Sequence, residues 1–181
     1  MAFLRAYGER WGISVVQVGE VLGGAAAVSS SRIRGLVVAG DVGEAASLLG
    51  RPYFMDATVE HGEEVGRHLG FPTANLSIAG DKCLPAAGVY AMWVRVDGTW
   101  HMAATNVGYR PTFGGDRLTV EAFLLDFSGD LYGRDVRAVF VERLREERNY
   151  PNVEELVVQI GADVDAVRAL LTRGSPPTGL G

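Results

Sequence analysis

The chain has 181 residues, of which 48% are hydrophobic and 22% charged, values that suit one folded domain plus a fragment of another and exclude disorder as the main state. Seventeen Lys and Arg against 22 Asp and Glu leave a formal net charge of −5, the wrong sign for a protein whose partner is a phosphate backbone, so no nucleic-acid partner is expected. The lone cysteine, Cys83, excludes an internal disulfide and a cysteine-built zinc site; with no apolar run of the ~18 residues a membrane span needs and no signal-peptide order at the start, a cytoplasmic protein with no membrane partner is expected.

In chain order, Phe3 to Trp11 reads as a short helix and Ile13 to Val21 as a strand with a β-branched run. Ser31 to Ala39 reads as a helix capped by the serines before it, and Val42 to Leu49 as another, stopped by Gly50 and Pro52. That order has nothing to complete a sheet, so residues 1–48 read as the remnant of an α/β domain whose earlier strands are missing. From Tyr53 the pattern changes to strands of period-two alternation, among them Gly88 to Val96, Trp100 to Val107, Leu118 to Phe127 and Val136 to Leu144. Asp97-Gly98 between two of them is a hairpin signal, and successive hairpins without helical crossovers imply an antiparallel sheet, closed as a barrel or stacked as a sandwich. Asn152 to Leu171 then carries Val153, Leu156, Val157, Ile160, Val164, Val167, Leu170 and Leu171 at helical spacing, a helix to pack on the sheet. Residues 174–181, with Ser175-Pro176-Pro177, read as a flexible tail.

The chemistry concentrates in His61 to Leu76. Three glycines in nine residues, Gly62, Gly66 and Gly70, let backbone N–H groups approach a phosphate, and Arg67 supplies a charge. In extended Pro72-Thr73-Ala74-Asn75, positions i and i+2 point to one side, so a hydroxyl and an amide oxygen come together, a pair that suits Mg²⁺ taking its remaining ligands from water and nucleotide phosphates. The same four residues also suit a plain loop with an Asx-turn. A second unusual segment runs from Asn106 to Gly115. A third, Val120 to Phe127, places Glu121 on the strand face of Phe123 and Leu125; the carboxylate is either a partly buried general base at a barrel mouth or a solvated group at a bent strand end. His61, His68 and His101 are too scattered for a metal site, and the strand aromatics read as core.

Seven segments in order carry a resemblance: His61-Gly62 through Gly66-Arg67 with Leu69 to Leu76, Pro85 to Tyr90, Asn106 to Phe113, Val120 to Phe127, Asp130-Leu131-Tyr132-Gly133, and Leu144 to Tyr150. Together they resemble the riboflavin kinase module of bacterial bifunctional FAD synthetases over about residues 50–173. The resemblance implies a mainly β fold, a six-stranded antiparallel barrel with a C-terminal helix, as a domain spanning 49–173. It also implies transfer of the γ-phosphate of ATP to the ribityl 5′-hydroxyl of riboflavin to give FMN, with Mg²⁺ as cofactor and riboflavin/FMN and ATP/ADP as partners; a monomer is expected.

By that resemblance Thr73 and Asn75 hold the metal, Glu121 is the catalytic base, and Gly62, Gly66, Arg67, Leu124, Asp126 and Tyr132 join Thr73 and Asn75 around ATP. Arg145, Arg148 and Tyr150 fall on the flavin side. Phe123 stands where bacterial members usually have His, and Ala57 where they usually have Gly. Val28 to Arg34 resembles the Ser- and Arg-containing segment that holds ATP phosphates at the end of the preceding FMN adenylyltransferase module. Because the His-containing motif of that module is absent, the chain reads as N-terminally truncated, with FAD synthesis lost. A non-catalytic flavin-binding barrel is the alternative, which would need neither Glu121 nor the two metal-site residues.

Overall fold

The computed structural model describes residues 2–17, 19–24, 26–62, 65–78, 82–112 and 115–180. Its contacts divide the chain into two compact units, residues 1–30 and 31–181. The first holds helix α1 (Ala2–Arg10) and a two-residue antiparallel pair, β1 (Leu22–Gly23) with β2 (Ala26–Ala27). Phe3, Tyr7 and Trp11 recur at four-residue spacing: Phe3 and Tyr7 stack with ring centroids 6.0 Å apart, and Trp11, just past α1, meets Tyr7 at a tilt with centroids 6.3 Å apart. The strand expected over Ile13 to Val21 does not form in its described residues. Ile13, Val16 and Val21 are exposed; the Ile13 N–H bonds the Gly8 carbonyl and the Val21 carbonyl accepts from the Val28 N–H, but among the described residues no strand pairs along the run, so a β-branched propensity has no ladder to join.

The second unit opens with α2 (Ser30–Ala39) and α3 (Val42–Leu49), which closes on Gly50 in the left-handed conformation as the Gly–x–Pro stop implies. Both helices were grouped by sequence with residues 1–48, yet Val42 is part of the barrel's own core and α3 packs on the third and eighth strands. The remaining elements are β3 (Tyr53–Glu60), α4 (Val65–His68), β4 (Ala74–Ile78), β5 (Gly88–Val96), β6 (Thr99–Thr112), β7 (Gly115–Leu124), β8 (Asp135–Arg145) and α5 (Val153–Leu171). The strands close into a barrel in the order β3-β4-β7-β6-β5-β8, every pair antiparallel, which decides between barrel and sandwich. Asp97 and Gly98, with φ of 48° and 86°, form the β5–β6 hairpin turn with positive φ at both positions.

Alternation divides the sheet cleanly. Met55, Val59, Tyr90, Met92, Val107, Ala122 and Phe140 point inward and are almost fully buried, and Phe140 meets Tyr90 edge-on at 5.4 Å. The departure at Ala57 is one of these interior residues. On the outside, α5 covers Ala91 and Ala104 with Val167 and Leu171. Its start is fixed by Asn152, whose Oδ1 accepts from the Glu155 N–H at 2.8 Å while its amide donates to the Glu155 carboxylate at 2.9 Å. Among the described residues no helix is long and apolar enough to cross a membrane. In the segment that reads as a flexible tail, Leu180 is buried and its carbonyl accepts from Arg95 at 3.2 Å and Arg137 at 2.8 Å.

Candidate active site

The polar residues singled out by sequence gather on one outward patch and the barrel end beside it. Residues 74 and 76, 120 and 122, and 105 and 107 turn inward and are buried, so the residues between them, Asn75, Glu121 and Asn106, turn outward from three adjacent strands. They lie in register: Asn75 is the cross-strand partner of Glu121, and Glu121 that of Asn106. Glu121 therefore projects outward from the barrel wall, beside the point where β4 and β7 part, and its side chain is about a quarter exposed. Arg110, two turns of the pleat along β6 from Asn106, donates to Glu121 Oε1 at 2.9 Å.

Next to this row, the barrel end opens into a cavity of about 670 Å³, within the range of small-molecule sites. Val59, Ala74, Ala122 and Leu124 form its apolar floor, while Arg67, Thr73 and the segment from Phe127 to Tyr132 line its wall. Thr73 faces the cavity, and Asn75, two residues on, stands beside Glu121. Two glycines press on this pair. A side chain at Gly62 would begin 2.0 Å from the Asn75 amide, and one at Gly66 would begin 2.4 Å from the Phe71 carbonyl and 3.2 Å from the Thr73 hydroxyl. The bare backbone of 62 and 66 is thus a steric requirement for placing Thr73 and Asn75 where they are. Among the described residues no group of three or more His, Cys, Asp and Glu is arranged to hold a metal.

The other expected site residues divide. Leu124 and Tyr132 line the cavity, and Tyr132 carries the His61 ring on its face at 3.6 Å. Asp126 is turned to α5: Arg168 grips it through both nitrogens at 2.7 and 2.9 Å and holds its carboxyl below the usual range. Arg145 is likewise engaged with α5. Its Nη2 and Nε lie 2.7 and 2.9 Å from the buried Asp163 carboxylate, which also receives Gln159 at 2.9 Å, and these hydrogen bonds push the Arg145 pKa up. Arg148 is exposed. Tyr150 is half-buried below the Arg145 guanidinium, and its hydroxyl is enclosed without a hydrogen-bond partner. Phe123, the departure from the family pattern, meets Phe71 edge-on at 5.4 Å and packs beneath α5, so an apolar contact takes the place a histidine would have.

Sequence reasoning placed His61, Asn106, Arg110 and Glu147 in notable segments but assigned none of them a role; Glu147 receives the Asn106 amide at 3.4 Å. A signal existed for the second and third. Asn106, Gly108 and Arg110 alternate along one strand next to the Glu121 strand, which puts them on one face once the hairpin register is assumed. Nothing comparable marks His61, whose partner Tyr132 is distant in sequence.

The fold is a closed six-stranded antiparallel barrel with an outward carboxylate, Glu121, and a cavity at the barrel end. Residues 49–171 match the family model described as flavokinase, riboflavin kinase. The bifunctional riboflavin kinase/FMN adenylyltransferase of Pseudomonas fluorescens is 43% identical over 144 residues, covering 79% of this chain and 46% of that protein. Among solved structures, a Streptococcus pneumoniae protein described as a macrolide-efflux protein superposes with a TM-score of 0.82 at 34% identity, covering 90% of this chain and 53% of that one. Riboflavin kinase from Trypanosoma brucei gives a TM-score of 0.51 at 27% identity, covering 71% of this chain and 90% of that one. The chain belongs to the riboflavin kinase family. It spans about half the length of the curated relatives it matches.

Proposed function

We propose that the barrel transfers the γ-phosphate of ATP to the ribityl 5′-hydroxyl of riboflavin, giving FMN and ADP. The observation that carries this reading is the in-register row from Asn75 to Glu121, set against a cavity that Thr73 lines. ATP occupies that cavity with its phosphates running out past Thr73 and Asn75, and Arg67 and the backbone around Gly62 and Gly66 supply positive potential along them. Leu124 and Tyr132 border the nucleotide; Asp126, gripped by Arg168, serves to hold α5.

The donor set fits Mg²⁺: a hydroxyl and an amide oxygen are hard, neutral ligands, and the bare backbone of Gly62 and Gly66 leaves room for Asn75 and Thr73. Thr73 and Asn75 would hold the ion, which would supply charge neutralisation for the transferring phosphoryl group. Glu121 accepts the proton of the 5′-hydroxyl as that oxygen bonds to the γ-phosphorus, and the bond to the bridging oxygen breaks to release ADP. Arg110 engages Oε1, which orients the carboxylate and makes Oε2 the proton acceptor. Arg148 and Tyr150 border the flavin, while Arg145 keeps α5 in place through Asp163. Alignment of nucleotide and hydroxyl is most of the catalysis.

The same 181 residues are proposed to make FMN but not FAD. Within residues 1–30 the described structure is one helix and a two-residue strand pair, which offer no sheet on which to align FMN with an ATP α-phosphorus. The acidic composition and single cysteine support a cytoplasmic setting, and a monomer is proposed. A non-catalytic flavin carrier is disfavoured, since it has no use for Glu121 beside two oxygen donors. Incubation with riboflavin, ATP and Mg²⁺, then with FMN and ATP, with flavins separated by chromatography, tests both statements: FMN in the first is expected, and FAD above a protein-free control in the second overturns the restriction to FMN.

A further inference from the structure

The corner between α2 and α3 lies against the barrel end opposite the nucleotide cavity, where β5 begins and β8 ends. Gly40, with φ of 88°, donates to the Val37 carbonyl at 2.9 Å and the Asp41 N–H donates to the Leu36 carbonyl at 2.9 Å, the pair of hydrogen bonds that closes a helix on a left-handed residue. Val37, Val42 and Ala45 around it are almost fully buried. The corner therefore has a fixed shape, and it presents bare backbone to the barrel.

Gly40 faces Tyr90 and Arg143, which are cross-strand partners on β5 and β8. A Cβ at position 40 would begin 2.9 Å from the Tyr90 hydroxyl and 2.9 Å from Arg143 Cδ. Tyr90 is fully buried and its hydroxyl donates to the Ala86 carbonyl at 2.6 Å, so Arg143 is the side chain that must yield. Arg143 Nη2 donates to the Ala87 carbonyl, while Nε is enclosed without a hydrogen-bond partner. Gly88 closes the other side: a Cβ there would begin 2.8 Å from Arg143 Nε and 2.6 Å from the Arg145 carbonyl. A guanidinium with an unpaired, buried N–H is kept where it is by packing, here between two glycines. The strand is irregular at this point. The register against β5 skips Val141 and Leu144, so Arg143 sits between two bulges, and a bulged strand owes its direction to how its side chains are seated as well as to its ladder.

We infer that the α2–α3 corner is a positioning element of the kinase: by seating Arg143 between Gly40 and Gly88 it sets the exit of β8, and with it the segment from Arg145 to Tyr150. The inference rests on the kinase reading above, which puts Arg148 and Tyr150 beside the flavin. It assigns residues 31–48, which precede the family match, to the working kinase. Gly40 and Arg143 touch neither substrate and act through the segment they hold.

Gly50 supplies the control, because its φ of 68° is also left-handed but nothing lies within 4 Å of a Cβ built there. Gly40→Ala and Gly50→Ala in the full chain thus carry similar backbone strain, and only the first displaces Arg143. Gly40→Ala is expected to raise KM for riboflavin by about tenfold with KM for ATP little changed, a split that general loss of fold does not give, while Gly50→Ala leaves both near wild type. Arg143→Met keeps the stem and removes the guanidinium; it is expected to weaken riboflavin binding by itself, and Gly40→Ala adds little in that background. Equal rises in KM for the two substrates, the same riboflavin defect in Gly50→Ala, or additive effects in the double variant overturn the inference. Where Gly40→Ala does not fold, Arg143→Met carries the test, and a wild-type KM for riboflavin in it overturns the role. If wild type phosphorylates no riboflavin, the kinase reading fails instead, and amide hydrogen exchange decides the corner separately. Faster exchange over residues 145–150 in Gly40→Ala or Arg143→Met but not in Gly50→Ala supports it, and unchanged exchange there overturns it.

Discussion

Asn75 and Glu121 form the last pair of the two-pair ladder between β4 and β7. The inward pair, Ala74 and Ala122, is packed into the core, and the outward pair stands where the strands part. A short ladder of this kind keeps both polar side chains on rigid backbone while leaving the space beside them open. That combination suits a base and a phosphate-side ligand that must meet a substrate between them.

Replacing Glu121 by Gln retains the shape and the Arg110 contact through the amide oxygen but removes the proton acceptor. Turnover is expected to fall by roughly 10²–10⁴, the usual worth of a positioned general base, with flavin and nucleotide affinities little altered. Steady-state kinetics with equilibrium titration of both ligands checks this, and near wild-type turnover refutes the role.

Thr73→Ala and Asn75→Ala each remove one of two candidate oxygens on the ion. Both variants are expected to weaken Mg·ATP binding more than binding of metal-free ATP. Calorimetric titration with and without Mg²⁺ separates the cases, because equal losses in the two arms assign these residues to loop shape alone.

The barrel was readable because its physics is local: alternation marked the strands, Asp97-Gly98 marked a hairpin, and the apolar spacing of Asn152 to Leu171 marked α5 within a residue of its bounds. Parity placed Glu121, Phe123 and Leu125 on one face, but that face is covered by α5 at Phe123 and Leu125 and open at Glu121. Neither half of that answer follows from the strand itself, since it depends on where a helix 40 residues away lands. For the same reason the pairing of Asp126 with Arg168 and of Arg145 with Asp163, residues the resemblance places at nucleotide and flavin positions, could not be read from the strands alone. Ile13 to Val21 failed as a strand because propensity cannot supply a neighbour.

The two α5 ion pairs should differ sharply in what they contribute to stability. Asp163 is 6% exposed and shares its carboxylate between Arg145 and Gln159, so Arg145→Ala leaves a charge buried with half its partners and is expected to cost about 3 kcal/mol. Arg168 and Asp126 are exposed, and Arg168→Ala is expected to leave the denaturation midpoint nearly unchanged. Urea unfolding of the two variants side by side tests the contrast, which is refuted by equal shifts.

Arg137 joins the barrel wall to the chain's last turn. It meets Asp56 through Nε at 2.6 Å and Nη2 at 3.1 Å, donates from Nη1 to the Leu180 carbonyl, and stands in register beside Arg95, which donates to the same carbonyl. Two arginines directly opposite each other repel, so the acceptors around them are what make the arrangement tolerable. The hydrogen bonds from Arg137 hold the Asp56 carboxyl below its usual range. A carboxyl with a lowered folded pKa contributes stability that is fully present above the unfolded value of about 3.9 and is lost as pH falls through the folded one. Asp56→Asn is therefore expected to be less stable than wild type at pH near 7, with the gap closing below pH of about 4. Deleting residues 174–181 removes the Leu180 carbonyl that both arginines share, and is expected to destabilise Asp56→Asn more than it destabilises wild type, because in that background Arg137 no longer faces the Asp56 charge. Urea midpoints of the four proteins at neutral and acid pH provide the measurement; additive losses at neutral pH would show that the tail and Asp56 do not share the Arg137 charge.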